Sequence, residues 1–128
     1  MTVLTALRLA LDDPADTLRL AAVEGIQLAG DHEAAPKIRA LASAGGSSVG
    51  LRAAALRTLG ELGDAEAVSL VTSLLPGVEL PNDLRTAALG AAGKLCAKLT
   101  PAPASLVNAL LEVLNAEGAA ERSRLDAI

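Results

Sequence analysis

Apolar residues recur at helical spacing over most of this chain. Leu51, Ala55, Leu59 and Leu62 fall at i, i+4, i+8 and i+11, the spacing of one face of an α-helix. Val68, Val71, Leu74 and Leu75 make a second such face. The pattern predicts long first helices over 15–29, 49–62 and 82–98, alternating with second helices over 34–43, 65–75 and 103–116. Helix breakers separate the pairs: Asp12-Asp13-Pro14, Gly45-Gly46-Ser47-Ser48, and Pro76-Gly77 to Pro81-Asn82. Gly30 and Gly63 stand where a glycine ends a first helix, because glycine tolerates the left-handed conformation there. Asp31 and Asp64 follow and are predicted to cap the second helices by accepting from their free N–H groups.

The same pattern returns every 33 residues. Leu18-Arg19, Leu51-Arg52 and Leu84-Arg85 are in register, as are Ala21-Ala22, Ala54-Ala55 and Ala87-Ala88. Val23, Leu56 and Leu89 follow, and Gly30-Asp31 matches Gly63-Asp64. A fixed period of this size means stacked supersecondary units, each covering the hydrophobic face of the next. The division is a partial repeat at 1–12, repeats at 13–46, 47–78 and 79–117, and a partial repeat at 118–128. Residues 3–11 look like a second helix without its first, and 119–128 like a first helix that stops early. Terminal repeats normally turn a polar face outward. Here Val3, Leu4 and Leu7 lie at one end and Leu125 and Ile128 at the other, so the segment is expected to belong to a longer chain.

The stretch Val49-Gly-Leu-Arg-Ala-Ala-Ala-Leu-Arg-Thr-Leu-Gly-Glu-Leu-Gly-Asp-Ala-Glu-Ala-Val-Ser-Leu-Val-Thr-Ser-Leu-Leu75 carries an apolar-Arg, Ala-Ala, Leu-Gly-x-Leu-Gly-Asp, Ala-Val order. It resembles the short HEAT-like repeat of the phycobilisome-lyase type. The resemblance covers nearly the whole chain and is strongest at 47–75; unit one departs at Leu28 and unit three after Leu95. Tetratricopeptide repeats need a Trp and Tyr signature that is missing here. Ankyrin repeats begin Thr-Pro-Leu-His and start their second helix sooner than Ile26 to Gly30 allow. The resemblance implies an all-α right-handed superhelix, an α-solenoid of the ARM/HEAT kind built from antiparallel helix pairs. First helices would lie outside and second helices inside.

Composition sharpens this. Of 128 residues, Ala and Leu supply 53, and Phe, Trp and Tyr are absent. Small and medium side chains suit close helix stacking, and the alanine pairs let first helices approach at the short end of the usual ~8–10 Å range. The missing aromatics remove the platforms that stack bases, sugars and flat cofactors. A net charge of −4 works against phosphate-backbone binding, so no nucleic-acid partner is expected. No uncharged apolar run reaches the ~18 residues of a membrane span. The N-terminal stretch lacks a basic start, holds Arg8 and runs into Asp12-Asp13, so it reads as an amphipathic helix and not a signal peptide. The compartment stays open.

Candidate chemistry is sparse. One cysteine, Cys96, excludes an internal disulfide, and one histidine, His32, excludes a His-rich or Cys-based zinc site. His32-Glu33 invites comparison with deoxyhypusine hydroxylase, a HEAT-like di-iron family. Iron needs several such pairs converging, so Glu33 reads as a helix-start acid near the positive end of a helix dipole. Cys96 replaces the terminal glycine of unit three; Lys94 and Lys98 could activate it, but a buried inert thiol is the plainer reading. Arg19, Arg52 and Arg85 form a ladder read either as an anion-binding stripe or, as the resemblance implies, as an inter-repeat brace to turn carbonyls or to Asp31 and Asp64.

The resemblance also implies a concave face lined by second helices. Its candidates are Lys37, Ala40 and Ser43, then Glu66, Ser69 and Thr72, then Ser105, Asn108 and Glu112. The expected function is a non-catalytic protein-interaction or spacer module with no cofactor and no metal, its partner an unidentified protein. An accessory repeat domain of a larger bacterial redox or lyase enzyme is one alternative. A bilin-lyase-like enzyme is the other, although no aromatic residue is present to cradle a tetrapyrrole. Apolar ends also leave end-to-end self-association open.

Overall fold

The computed structural model describes residues 2–43, 47–76 and 80–126, with side chains described as far as Gly118. Seven α-helices are seen: α1 Val3–Ala10, α2 Asp16–Ala29, α3 Ala35–Ser43, α4 Val49–Leu62, α5 Val68–Leu74, α6 Asn82–Lys98 and α7 Ala104–Asp126. Among the described residues there is no strand. The architecture is an all-α solenoid of stacked helix pairs. First helices α2, α4 and α6 lie side by side, and each second helix packs on the first helix that follows it.

The breakers act through identifiable groups. Ser48 accepts from the Leu51 N–H at 3.2 Å and so caps α4. Thr2 does the same for α1 through Thr5. Asp13 accepts from the Ala15 N–H at 2.9 Å and turns the chain into α2. At the other ends, Gly30 and Gly63 each adopt φ of 66°. The N–H after each glycine reaches back five residues, Asp31 to Ile26 at 3.3 Å and Asp64 to Leu59 at 3.2 Å. That bond, with the shorter one from the glycine itself, satisfies carbonyls that the helix end leaves free. Of the breaker stretches, Gly45, Gly46 and positions 77–79 lie outside the described residues.

Two expectations change. Asp31 and Asp64 occupy the positions before the second helices, but neither side chain caps them. Instead each second helix opens with a single 3₁₀ turn, His32–Ala34 or Ala65–Ala67, and the carboxylates face the preceding unit. The break expected near 117 is also absent, because α7 runs unbroken to Asp126. Gly118 is the only glycine there and no proline follows it, so nothing local stops the helix. Leu125 lies in the part whose side chains are not described, and Ile128 lies outside the described residues.

Unit three shows the converse effect. Where units one and two have Gly30 and Gly63, it has Cys96, and α6 continues to Lys98 before Leu99 turns extended. Without a residue that favours positive φ, the helix gains most of another turn.

The core follows the repeat register. Leu51, Leu56 and Leu59 of α4 and Leu84, Ala88 and Leu95 of α6 are all at most 1% exposed. Of the alanine pairs, Ala54, Ala55, Ala87 and Ala88 are all buried, whereas in the first pair only Ala22 is buried and Ala21 is exposed. At Gly60 the backbones of α4 and α6 come close, and an added Cβ would lie 2.9 Å from the Ala91 Cα. Thr58 of α4 is fully buried toward α2, its hydroxyl donating within reach of the Ala54 carbonyl at 2.9 Å and of Gln27 Oε1 of α2 at 3.2 Å.

Candidate interaction surfaces

Second-helix arginines tie the repeats together. Arg8 of α1 donates from Nε and an Nη to the two carboxylate oxygens of Asp31, both at 2.7 Å, and lies 3.2 Å from Glu33. Arg39 of α3 stands 2.9 Å from Asp64 and 3.0 Å from Glu66. The two braces share a plan: an arginine on one second helix meets the Asp-x-Glu that opens the next. The first is in line and two-pronged. The second is a close ion pair without hydrogen-bond alignment at the Nε.

The Arg8 guanidinium holds the Asp31 carboxyl below its usual range, because hydrogen bonding to the ionised form outweighs burial. Arg8 is raised in turn, chiefly by the same bond.

The arginines singled out from the sequence do other work. Arg52 donates from Nε to the Ala42 carbonyl in the last turn of α3 at 3.1 Å. Arg19 pairs with Asp16 one turn earlier on its own helix, and Arg85 pairs with Glu117 of α7. None of the three reaches Asp31 or Asp64. The arginines that do were hidden from a strict period search, since Arg8 and Arg39 are 31 residues apart and not 33. Their signal was the shared Leu7-Arg8 and Ile38-Arg39 pairs on successive second helices.

The brace stops at unit three on both sides at once. Thr72 takes the arginine's place on α5, and Ala97 takes the aspartate's place on α6. Thr72 Oγ1 is buried without a hydrogen-bond partner among the described residues. At this junction Lys94 and Lys98 of α6 instead meet Glu61 of α4, Lys98 donating to the Glu61 carbonyl as well.

Of the second-helix candidates, Lys37, Ala40, Ser43, Glu66, Ser69, Ser105, Asn108 and Glu112 are exposed, and Thr72 is half-buried. Lys37 bonds Asp12 at 2.6 Å, and Ser43 turns back on the Arg39 and Ala40 carbonyls. Glu66 belongs to the brace just described. Ser69, Ser105, Asn108 and Glu112 make no side-chain hydrogen bond or ion pair among the described residues. His32 and Glu33 are exposed in the 3₁₀ turn, and Cys96 is half-buried on α6. Among the described residues, no three His, Cys, Asp or Glu side chains converge on one point. No helix among them is long and apolar enough to cross a membrane.

Large apolar residues are exposed on every first or terminal helix but α6, among them Val3 and Leu9 on α1 and Val49 at the start of α4. Leu18 is 51% exposed, whereas its repeat equivalents Leu51 and Leu84 are 1% and 0% exposed under the preceding unit. Leu111 and Leu114 of α7 are 51% and 56% exposed. Leu28, at the end of α2, is 89% exposed. Beside it, Glu24, Gln27, Leu28, Ala54 and Arg57 line a furrow between α2 and α4. Beyond Arg57 a groove of about 480 Å³ runs between α4 and α6, floored by Ala53, Ala87 and Ala91.

A family model described as HEAT repeats matches residues 3–93. The match begins with α1 and ends just before Cys96, where the Gly-Asp turn is lost. Comparison with curated proteins gives no match.

Proposed function

The chain belongs to the HEAT-repeat family, and from that premise we propose that it is a non-catalytic module that holds a protein partner along its second helices. HEAT repeats generally serve as protein-interaction or scaffold modules. The contact surface in this reading is the row Lys37, Glu66, Ser69, Thr72, Ser105, Asn108 and Glu112. The observation that carries it is the division of labour among polar side chains. Those with long reach brace one repeat to the next, while Ser69, Ser105, Asn108 and Glu112 stay exposed on α5 and α7 with no side-chain hydrogen bond or ion pair among the described residues. A row of short, uncommitted polar groups suits hydrogen bonding to a polar peptide surface. It lacks the aromatic anchors that dominate tight interfaces, so the affinity should be modest.

A photo-crosslinking residue placed at Ser69 and, separately, at Asn108 tests this. Both positions should give the same protein adduct from extract of the source cell, and one at Thr17 on α2 should not. No adduct at either position, or equal adducts at all three, would sink the proposal.

A further inference from the structure

We propose that the outer face of the first helices is a self-complementary dimer surface, in which Leu28 of each copy enters the groove between α4 and α6 of the other. This goes beyond the function proposed above and uses the other layer of helices.

The argument starts from a knob and a hole on one face. Leu28 is the most exposed large apolar residue among the described ones. In the repeat register its equivalents are Glu61 and Lys94, which pair with each other across α4 and α6. So this outer row is charged in two units and apolar in one. The groove is low because Ala53, Ala87 and Ala91 are short and Gly50 and Gly90 leave its walls open. A Cβ at either glycine would meet nothing within 4 Å.

Charge follows the same layout. Glu24 lies one turn before Leu28 on the same side of α2, and Arg57 forms the ridge between furrow and groove. Among the described residues neither takes part in an ion pair. The contacts between positions 27 and 58, 60 and 91, and 61 and 94 show that α2, α4 and α6 run parallel. A two-fold axis lying in the contact plane, directed along the helices and passing close to α4, carries Leu28 into the partner's groove. The same rotation carries Glu24 to the partner's Arg57. One contact therefore satisfies both charges twice, as an isologous interface requires.

The face is large enough to matter. Three helices about 21 Å long, spaced about 10 Å apart, present roughly 600 Å² before corrugation is counted. A standard stable interface buries ~800 Å² per partner. The dimer should thus be of moderate strength and concentration-dependent.

Sedimentation velocity across a wide concentration series is the test. The wild-type chain should pass from monomer to a dimer plateau. Leu28→Glu should abolish the dimer. Gly90→Leu should do the same by filling the groove, and it keeps the fold intact because its side chain starts in open space; an unchanged or higher melting temperature verifies that. Glu24→Arg and Arg57→Glu should each weaken the dimer about tenfold or more, and the double variant should restore it. A wild-type monomer at every concentration overturns the proposal. So does a dimer indifferent to both Leu28→Glu and Gly90→Leu, or growth without a plateau, which would indicate stacking through the end faces.

Discussion

Gly60 and Gly93 occupy the same position of successive repeats, yet the same substitution should act on them with opposite sign. Alanine in a helix interior is favoured over glycine by ~0.8–1.0 kcal/mol. At Gly93 the new methyl meets nothing within 4 Å, so Gly93→Ala should stabilise the fold by about 1 kcal/mol. At Gly60 it would lie 2.9 Å from the Ala91 Cα and 3.4 Å from the Ala91 and Lys94 Cβ atoms. The closest of these is backbone and cannot rotate aside, so α4 and α6 must separate. Overpacking of this kind costs about 1–3 kcal/mol. Net of the helix gain, Gly60→Ala should destabilise by roughly 0–2 kcal/mol. The difference between the two variants removes the helix preference and leaves the packing contribution alone. Thermal melts suffice to read it, since for a chain of this size 1 kcal/mol moves Tm by roughly 3–6 °C. Equal shifts for the two variants, or a higher Tm for Gly60→Ala than for Gly93→Ala, would refute the inference that α4 and α6 touch backbone to backbone.

Three further outcomes are expected. Leu59 is fully buried, so Leu59→Ala should lose roughly 2–5 kcal/mol, and Ala55→Leu, at another fully buried site, about 1–3 kcal/mol; denaturant titrations that find neither would displace the core register. Asp31 titrates below its ordinary value in the folded chain, whereas the unfolded carboxyl sits near ~3.9. Its contribution is therefore complete above that value and lost as pH falls through the lower folded one, so Asp31→Asn should flatten the acid limb of a stability–pH curve; an unchanged slope would deny the Arg8 brace. Gly30→Ala should destabilise although its surroundings are open, because φ of 66° strains any side chain there; a melt equal to wild type would contradict the left-handed turn.

The helices, their breakers and the buried rows were legible in the sequence because each depends on local chemistry or on the period. Leu51, Ala55, Leu59 and Leu62 share a face by spacing alone, and all are buried. Gly30 and Gly63 were readable because only glycine suits a helix end of that shape. The braces were harder to see. Whether Asp31 caps its own helix or binds Arg8 depends on what the neighbouring unit brings within reach, and local sequence offers both. Arg39 stands two residues further ahead of its first helix than Arg8 does, which displaced the arginines from the period that exposed everything else. The face of α2, α4 and α6 was harder still, since its groove is defined by side chains that are short, and Leu28 is conspicuous only once its neighbours are placed.

The loss of the brace at unit three has a consequence for how the molecule opens. A solenoid is close to a one-dimensional array, in which each junction contributes its own term and unfolding enters where the weakest one meets an end. The α1 and α3 junctions carry an arginine clamp, while α7 is joined to α5 and α6 by apolar contact and the Arg85–Glu117 pair. Opening should therefore start where α7 meets α5, with amide exchange faster along α7 than in the buried contact between α4 and α6. Salt should loosen the amino-terminal junctions more than the last one, so that raising ionic strength evens out a gradient that dilute buffer makes steep.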